Sequence, residues 1–332
     1  MKDIAEGLGV SLMTVSKALR NHGDIADETR RRVLERAQAL NYQPNLTARS
    51  LVNRRTFLVA LVIPDLMHSF FAEVAKGAGD RLAPRGYQIL MSNSGERVET
   101  ELQQIRSLRG RNVDGLIIAS AVDRPGSPVV KELNTYGAKC VLVDRAIPGL
   151  KGNYVGVDDE EIGFLATSHL LEQGCRRVAH IGGPENSPAK GRLRGYRRAL
   201  EGAKFPIPSG YASSGGSGDG AGYDAMQRLL RLTPSPDGVF CYNDPVAAGA
   251  MKAILEAGLK IPRDVAVIGA GNVHYSDLLR VPLSTIDQSS RLIGQTAAEL
   301  LLDAFDAKTA SVSQRILFSP RLLVRESSRR HS

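Results

Sequence analysis

DIAEGLGVSLMTVSKAL, Asp3 to Leu19, decides how the N-terminal end is read. Ile4, Ala5 and Leu8 fall at helical spacing, so they line one face of a first short helix. Gly9 permits a tight turn, and Ser11 stands where a hydroxyl caps a second helix whose Val15, Ala18 and Leu19 point inward. Leu12, Met13, Ser16 and Lys17 are left facing outward. The spacing is that of a helix-turn-helix, although a plain helical hairpin shares so short a pattern. The residues that follow favour the first reading. A third amphipathic helix, Asp27 to Leu40, places Val33, Leu34, Ala37 and Leu40 at core spacing, and Asp27 and Glu28 suit its N-terminal dipole.

Charge is distributed in the same sense. The segment through Thr56 holds ten Lys and Arg against six Asp and Glu; the rest of the chain holds 33 against 29. Positive charge is therefore concentrated on the helical head, where phosphates would be met. In a helix-turn-helix the start of the second helix reaches base edges in the major groove.

A chain of 332 residues, 42% hydrophobic, can hold two or three domains with large cores. No apolar run approaches the roughly twenty residues of a membrane helix, and the first residues read as a charged helix, not a signal peptide. The expectation is a cytoplasmic protein that meets no membrane. Cys140, Cys175 and Cys241 are odd in number and far apart in apolar surroundings, which favours burial over a disulfide or a metal site.

From Phe57 onward short apolar runs alternate with helical patterns, the signature of parallel sheet with crossover helices. FLVALVI, YQILMS, VDGLIIA and KCVLVD read as buried strands of one sheet; RRVAHIG, DGVFCY and DVAVIG read as a second set. Ligands in such sheets sit beyond the carboxyl ends of the strands. Two glycine patterns invite a nucleotide-binding reading, Gly269-x-Gly271 and GGSGDGAG from Gly215 to Gly222. Neither completes G-x-G-x-x-G, and residues 213 to 222 look more like a flexible surface loop. With no nucleophile elbow, P-loop or metal-spaced cluster, neither catalysis nor a cofactor is expected.

Several blocks together resemble a family, the LacI/GalR group of bacterial transcriptional regulators typified by the lac and galactose repressors. They are DIAEGLGVSLMTVSKAL, ETRRRVLERAQALNYQPNLTARSL, VALVIPDLMHSFFAEVAKG, VDGLIIA, HLLEQGCRRVAHIGGP, GRLRGY, YNDPVAAGAMKAILEAGLKIPRDVAVIG and PLSTIDQ, in family order over nearly the whole length. The resemblance implies an all-α helix-turn-helix DNA-binding head (1–43), a hinge helix and linker (44–56) and an α/β two-lobed periplasmic-binding-protein-like (type I) effector domain (57–332). Lobe 1 would span about 57–157 and 288–318, lobe 2 about 158–287 and 319–332, with crossings near Asp158, Asp287 and Ser319.

It also implies where ligands bind. The DNA-facing set is Ser11, Leu12, Met13, Thr14, Ser16, Lys17, Thr29, Asn45, Ala48, Arg49 and Leu51, with Leu51 of PNLTARSL acting as a minor-groove wedge. The effector set is Ser69, Phe71, Asp159, Arg192, Asn243, Asp244, Asn272 and Gln288, with Phe70 and Tyr275 as further aromatic candidates. Arg194, Arg197 and Arg198 have no family match and suit a solvated helix face. One departure stands out: where many members hold a sugar-gripping Asp after the VAVI strand, this chain has Gly271, with Asn272 beside it. The implied function is a homodimeric repressor on a near-palindromic operator, controlled by a small polar effector such as a sugar or sugar derivative. The rivals are a clamshell binding protein without DNA binding and a nucleotide-dependent enzyme.

Overall fold

The computed structural model describes residues 1–19, 22–42, 55–213, 215–307 and 312–330. It divides into two units, Met1–Thr56 and Phe57–Ser332. No described helix is long and apolar enough to cross a membrane.

The first unit holds α1 (Lys2–Leu8), α2 (Leu12–Leu19) and α3 (Asp27–Ala39). Gly9, at φ 64, ends α1 in the left-handed region, where glycine carries no Cβ penalty. Ser11 Oγ accepts from the Thr14 amide at 3.0 Å and so caps α2. Ile4, Ala5, Val15, Ala18, Val33 and Ala37 form the core, with Leu8, Val10, Leu19, Ile25 and Tyr42 packed against it. Leu34 and Leu40 do not join it, being 48% and 41% exposed. Three short helices enclose a narrow seam that the Val33–Ala37 row fills; Leu34 lies about 100° further round, and Leu40 falls beyond the last turn. Ala26 precedes α3 and gives it no side-chain cap, while the Asp27 carboxylate is taken by Arg30 at 2.8 Å.

In the second unit, twelve described strands form two six-stranded sheets. The first contains β1 (Leu58–Ile63), β2 (Gln88–Asn93), β3 (Gly115–Ile118), β4 (Cys140–Val143), β5 (Asn153–Val157) and β11 (Arg315–Phe318), ordered β11-β5-β4-β3-β1-β2 and parallel throughout. The second contains β6 (Val178–Ile181), β7 (Ala212–Ser213), β8 (Gly238–Cys241), β9 (Ala266–Ala270), β10 (Ser284–Asp287) and β12 (Arg321–Leu323), ordered β12-β10-β9-β8-β6-β7. Only β12 runs antiparallel there, against β10. The chain leaves the first sheet after β5, returns after β10 and crosses again between β11 and β12.

Helices α4 (Ser69–Leu82), α5 (Val98–Gly110) and α6 (Pro128–Asn134) belong to the first sheet, and α7 (Asp159–Glu172), α8 (Ser187–Gly202), α9 (Asp219–Leu230) and α10 (Asp244–Glu256) to the second. Helix α11 (Ser290–Asp306) follows β10 and packs back onto α4 and the first sheet. Fully buried strand residues such as Leu61, Ile63, Ile117 and Phe240 each contribute roughly 1.5–3 kcal/mol of apolar burial. Cys140, Cys175 and Cys241 are buried free thiols.

Two sequence expectations are corrected here. YQILMS is not a buried strand: β2 lies at the sheet edge with its side chains partly exposed. The run from 213 to 222 is not one loop, since Ser213 ends β7 and Asp219 opens α9. Its last glycine serves close packing instead, because a Cβ on Gly222 would overlap the Val246 carbonyl of α10.

Candidate functional site

A small cavity of about 30 Å³ lies between the two sheets, and its lining comes from segments that follow strand ends. From the first lobe come Asp65, His68, Phe70 and Phe71 after β1, Glu96 after β2, and Asp144 and Arg145 after β4. From the second come Arg192 on α8, Ser217 after β7, Tyr242 and Asn243 after β8, and Gln288 just past β10. This is where open α/β sheets bind ligands. The space has room for about one water, so a larger guest would require the lobes to part or side chains to turn away.

Two buried guanidinium groups dominate its chemistry. Arg192 donates Nε to Asp159 at 3.1 Å, Nη1 to the Tyr242 carbonyl at 2.5 Å and Nη2 to Gln288 Oε1 at 3.1 Å, and lies over the Tyr242 ring. It therefore ties α7, β8 and the β10 exit together. Arg145 makes a two-pronged pair with Glu96 at 2.6 and 2.7 Å, and its Nε, also buried, has no hydrogen-bond partner among the described residues. Burial pushes the Asp159 carboxyl up to about 7 against the pull of Arg192, and raises Asp144 as well. Burial lowers His68 to about 4, leaving its imidazole neutral near pH 7. Phe70 and Phe71 meet edge to face at 5.2 Å, giving the cavity an apolar wall.

A model of bacterial regulatory proteins of the lacI family matches residues 1–45, and one of a periplasmic binding protein-like domain matches residues 167–328. The HTH-type transcriptional repressor PurR of Haemophilus influenzae (strain PittEE) is 32% identical over 333 residues, covering 98% of each chain. The chain belongs to the LacI family. The ribose operon repressor of Escherichia coli (strain K12) is 31% identical over 332 residues and 99% of each chain. The crystal structure of the lac repressor dimer bound to operator and the anti-inducer ONPF superimposes with a TM-score of 0.85 at 25% identity, covering 98% of each chain. As a LacI-family member the chain is a DNA-binding transcriptional regulator, and these relatives are repressors, not enzymes.

Within that family frame the cleft gathers four of the sequence-derived effector residues, Phe71, Arg192, Asn243 and Gln288, and adds Phe70. The other four stand elsewhere. Ser69 opens α4 beside the lining His68 without reaching the cavity. Asp159 is one step back, holding Arg192. Asp244 is fully buried and its carboxylate is spent on Thr285 Oγ1 at 2.6 Å, Ser276 Oγ at 2.7 Å and the Val273 amide at 3.0 Å. Asn272 turns its Oδ1 to Arg325 at 2.9 Å. Tyr275 meets His274 edge-on and also lies off the cavity.

Asp65, His68, Glu96, Asp144, Arg145, Ser217 and Tyr242 are lining residues that the sequence reading passed over. Their signal was position: nearly all follow strand ends, and charged residues there have little core role. Arg194 and Arg198 pair with Glu160, and Arg198 also with Glu161, on the outer face of the α7–α8 pair.

On the head, Leu12 and Met13 are 52% and 63% exposed at the start of α2, and Ser11 is exposed beside them. Thr14, Ser16 and Thr29 are half-buried. Lys17 donates to Asp24 at 2.5 Å, so its ammonium is held within the head. Asn45, Ala48, Arg49 and Leu51 lie outside the described residues.

Proposed function

We propose that this regulator binds a near-palindromic operator as a homodimer, represses there, and changes its operator affinity when a small polyhydroxylated metabolite occupies the cleft between the lobes. A sugar or sugar derivative is the effector class that the lining favours. The observation that carries this reading is the convergence of Arg145, Arg192, Asn243 and Gln288 as polar partners with the carboxylates Asp65, Glu96 and Asp144, beside the Phe70–Phe71 wall. Carboxylates accept from hydroxyls, guanidinium and amide groups donate to them, and an aromatic face covers the apolar side of a sugar ring.

Lobe 1 supplies all three carboxylates, which offers hydroxyl acceptors without an Asp at Gly271. Ser11, Leu12 and Met13 present the operator-reading start of α2, with Lys17 in its last turn, and a protein that works on bacterial operators acts in the cytoplasm. The anti-inducer-bound lac repressor and the ribose operon repressor make small sugars natural first probes.

The test is operator selection from random duplexes, followed by titration of the protein–operator complex with sugars, sugar acids and purines. Release or tightening by one of them at fixed salt supports the proposal. A protein that selects no operator, or whose operator affinity ignores every effector that stabilises it, refutes it.

A further inference from the structure

His68 and Asn243 meet across the cleft, and their hydrogen bonding does not close. Asn243 Oδ1 accepts from the Val246 amide at 2.9 Å, capping α10, and its Nδ2 donates to the Ser217 carbonyl at 2.8 Å. The amide orientation is thereby fixed, and the group presented to His68 Nε2, 3.0 Å away, is an N–H donor. On the other side of the ring the Phe70 amide points at Nδ1 at 3.3 Å. A neutral imidazole has one acceptor nitrogen, yet both of its nitrogens face donors.

One conflict is local and the other is not. The Phe70 amide stands two residues from the ring on the first turn of α4, so a proton on Nδ1 would take from that helix-start N–H its capping acceptor. The proton is better placed on Nε2, where the opposing donor belongs to the other lobe and can move away. Burial keeps the ring neutral, so the choice of tautomer matters at ordinary pH.

We propose that His68 Nε2–H and Asn243 Nδ2–H are a two-donor clamp for one effector oxygen, a hydroxyl or carboxylate oxygen that bridges the lobes. This rests on the effector reading above and deepens it by assigning His68 as a specificity-determining residue. Two N–H···O bonds of about 2.9 Å meeting near the tetrahedral angle hold their nitrogens about 4.7 Å apart. The present separation is 3.0 Å. Binding thus relieves a donor–donor contact and parts the lobes locally, which converts the arrival of one oxygen into relative lobe movement.

The primary test uses the full-length protein labelled with ¹⁵N in histidine. Long-range ¹H–¹⁵N spectra distinguish the tautomers, and the signals lost in His68→Phe belong to His68. Protonation at Nε2 is expected; protonation at Nδ1 overturns the clamp, because Nε2 then simply accepts from Asn243.

The second arm titrates D-ribose, cellobiose, D-glucitol and D-gluconate by thermal shift and calorimetry. A probe that stabilises the wild type should bind about tenfold more weakly to His68→Phe and to Asn243→Asp, since each change removes one donor. D-Glucitol against D-gluconate separates hydroxyl from carboxylate as the oxygen source. Full affinity of a stabilising probe for both variants overturns the clamp. If no probe binds, the proposed effector class is what fails, and the tautomer still decides the clamp.

Discussion

Replacing Asp244 separates two roles that its position leaves open, a hand on the effector and a post inside the second lobe. In the structure its carboxylate is a post, receiving Val273 N–H, Ser276 O–H and Thr285 O–H from the β9–β10 region while its backbone opens α10. Asp244→Ala strands all three donors. The two hydroxyls can rotate toward other acceptors, at about 1 kcal/mol each, whereas the amide is immobile and loses about 1–3 kcal/mol. Against this, the carboxyl is itself penalised by burial, its pKa being raised, so removing it returns part of that cost.

The net expectation is a loss of about 2–4 kcal/mol. At roughly 2–4 °C per kcal/mol for a unit of this size, the melting transition falls by about 4–16 °C. Asp244→Asn keeps one good acceptor and turns an amide donor toward the others, so about half that loss is expected. Calorimetry and urea unfolding of the purified protein report both. A variant that melts like the wild type while failing to bind effector would refute the reasoning and return Asp244 to the ligand.

Four shorter expectations follow from other parts of the molecule. Ala26→Ser should stabilise α3 by roughly 0.5–2 kcal/mol, read as a higher melting point, because it supplies the absent cap; no gain would mean that the helix starts elsewhere or is capped by Asp24 or Asp27. Lys17→Ala should weaken operator binding by about 1–3 kcal/mol by gel shift, the ammonium exchanging Asp24 for a base or phosphate on DNA; wild-type affinity and salt slope would leave Lys17 as an internal pair only.

Asp159 titrates near 7 when folded and near 3.8 when free, so the folded state binds the extra proton between those values and this group's contribution to stability declines as pH rises from about 4 to 7. Asp159→Asn should remove that component from the pH dependence of the melting point, and an unaltered profile would place the titration elsewhere. Gly249→Ala should cost about 1–3 kcal/mol in urea unfolding, since the new methyl overlaps the Asp219 carbonyl of the neighbouring helix; tolerance would show that α9 and α10 can separate freely.

Legibility in the sequence tracked how local each cause was. Gly9, Ser11 and the Ile4–Ala5 stripe announce the head because a turn residue, a cap and a helical period act over a few positions. Leu34 was misread for want of one quantity, the width of the seam that three short helices enclose. Asn243 is legible as a helix-start residue after a strand and Arg192, on the second turn of α8, only through the family resemblance, but Asp244, one position on from Asn243, points back toward Thr285 and Ser276. That direction depends on where β10 comes to lie, which no spacing around residue 244 encodes. Asp144 and Arg145 were hidden because their strand reads as uniform core, and their charge matters only at its end.

The threefold crossing of the chain bears on how the molecule is made. Strand β1 is complete by residue 63, yet the helix that covers its sheet, α11, begins at Ser290 and supplies Ile293, Ala297, Leu301 and Phe305 to that core. On a ribosome the head emerges and can fold early, whereas lobe 1 waits through the whole of lobe 2 for its lid, and each sheet receives its last edge strand only after residue 314. Such long sequence separations slow folding and prolong the exposure of unfinished apolar surface. During synthesis the nascent chain therefore carries a helical head that can already fold ahead of an unfinished effector domain.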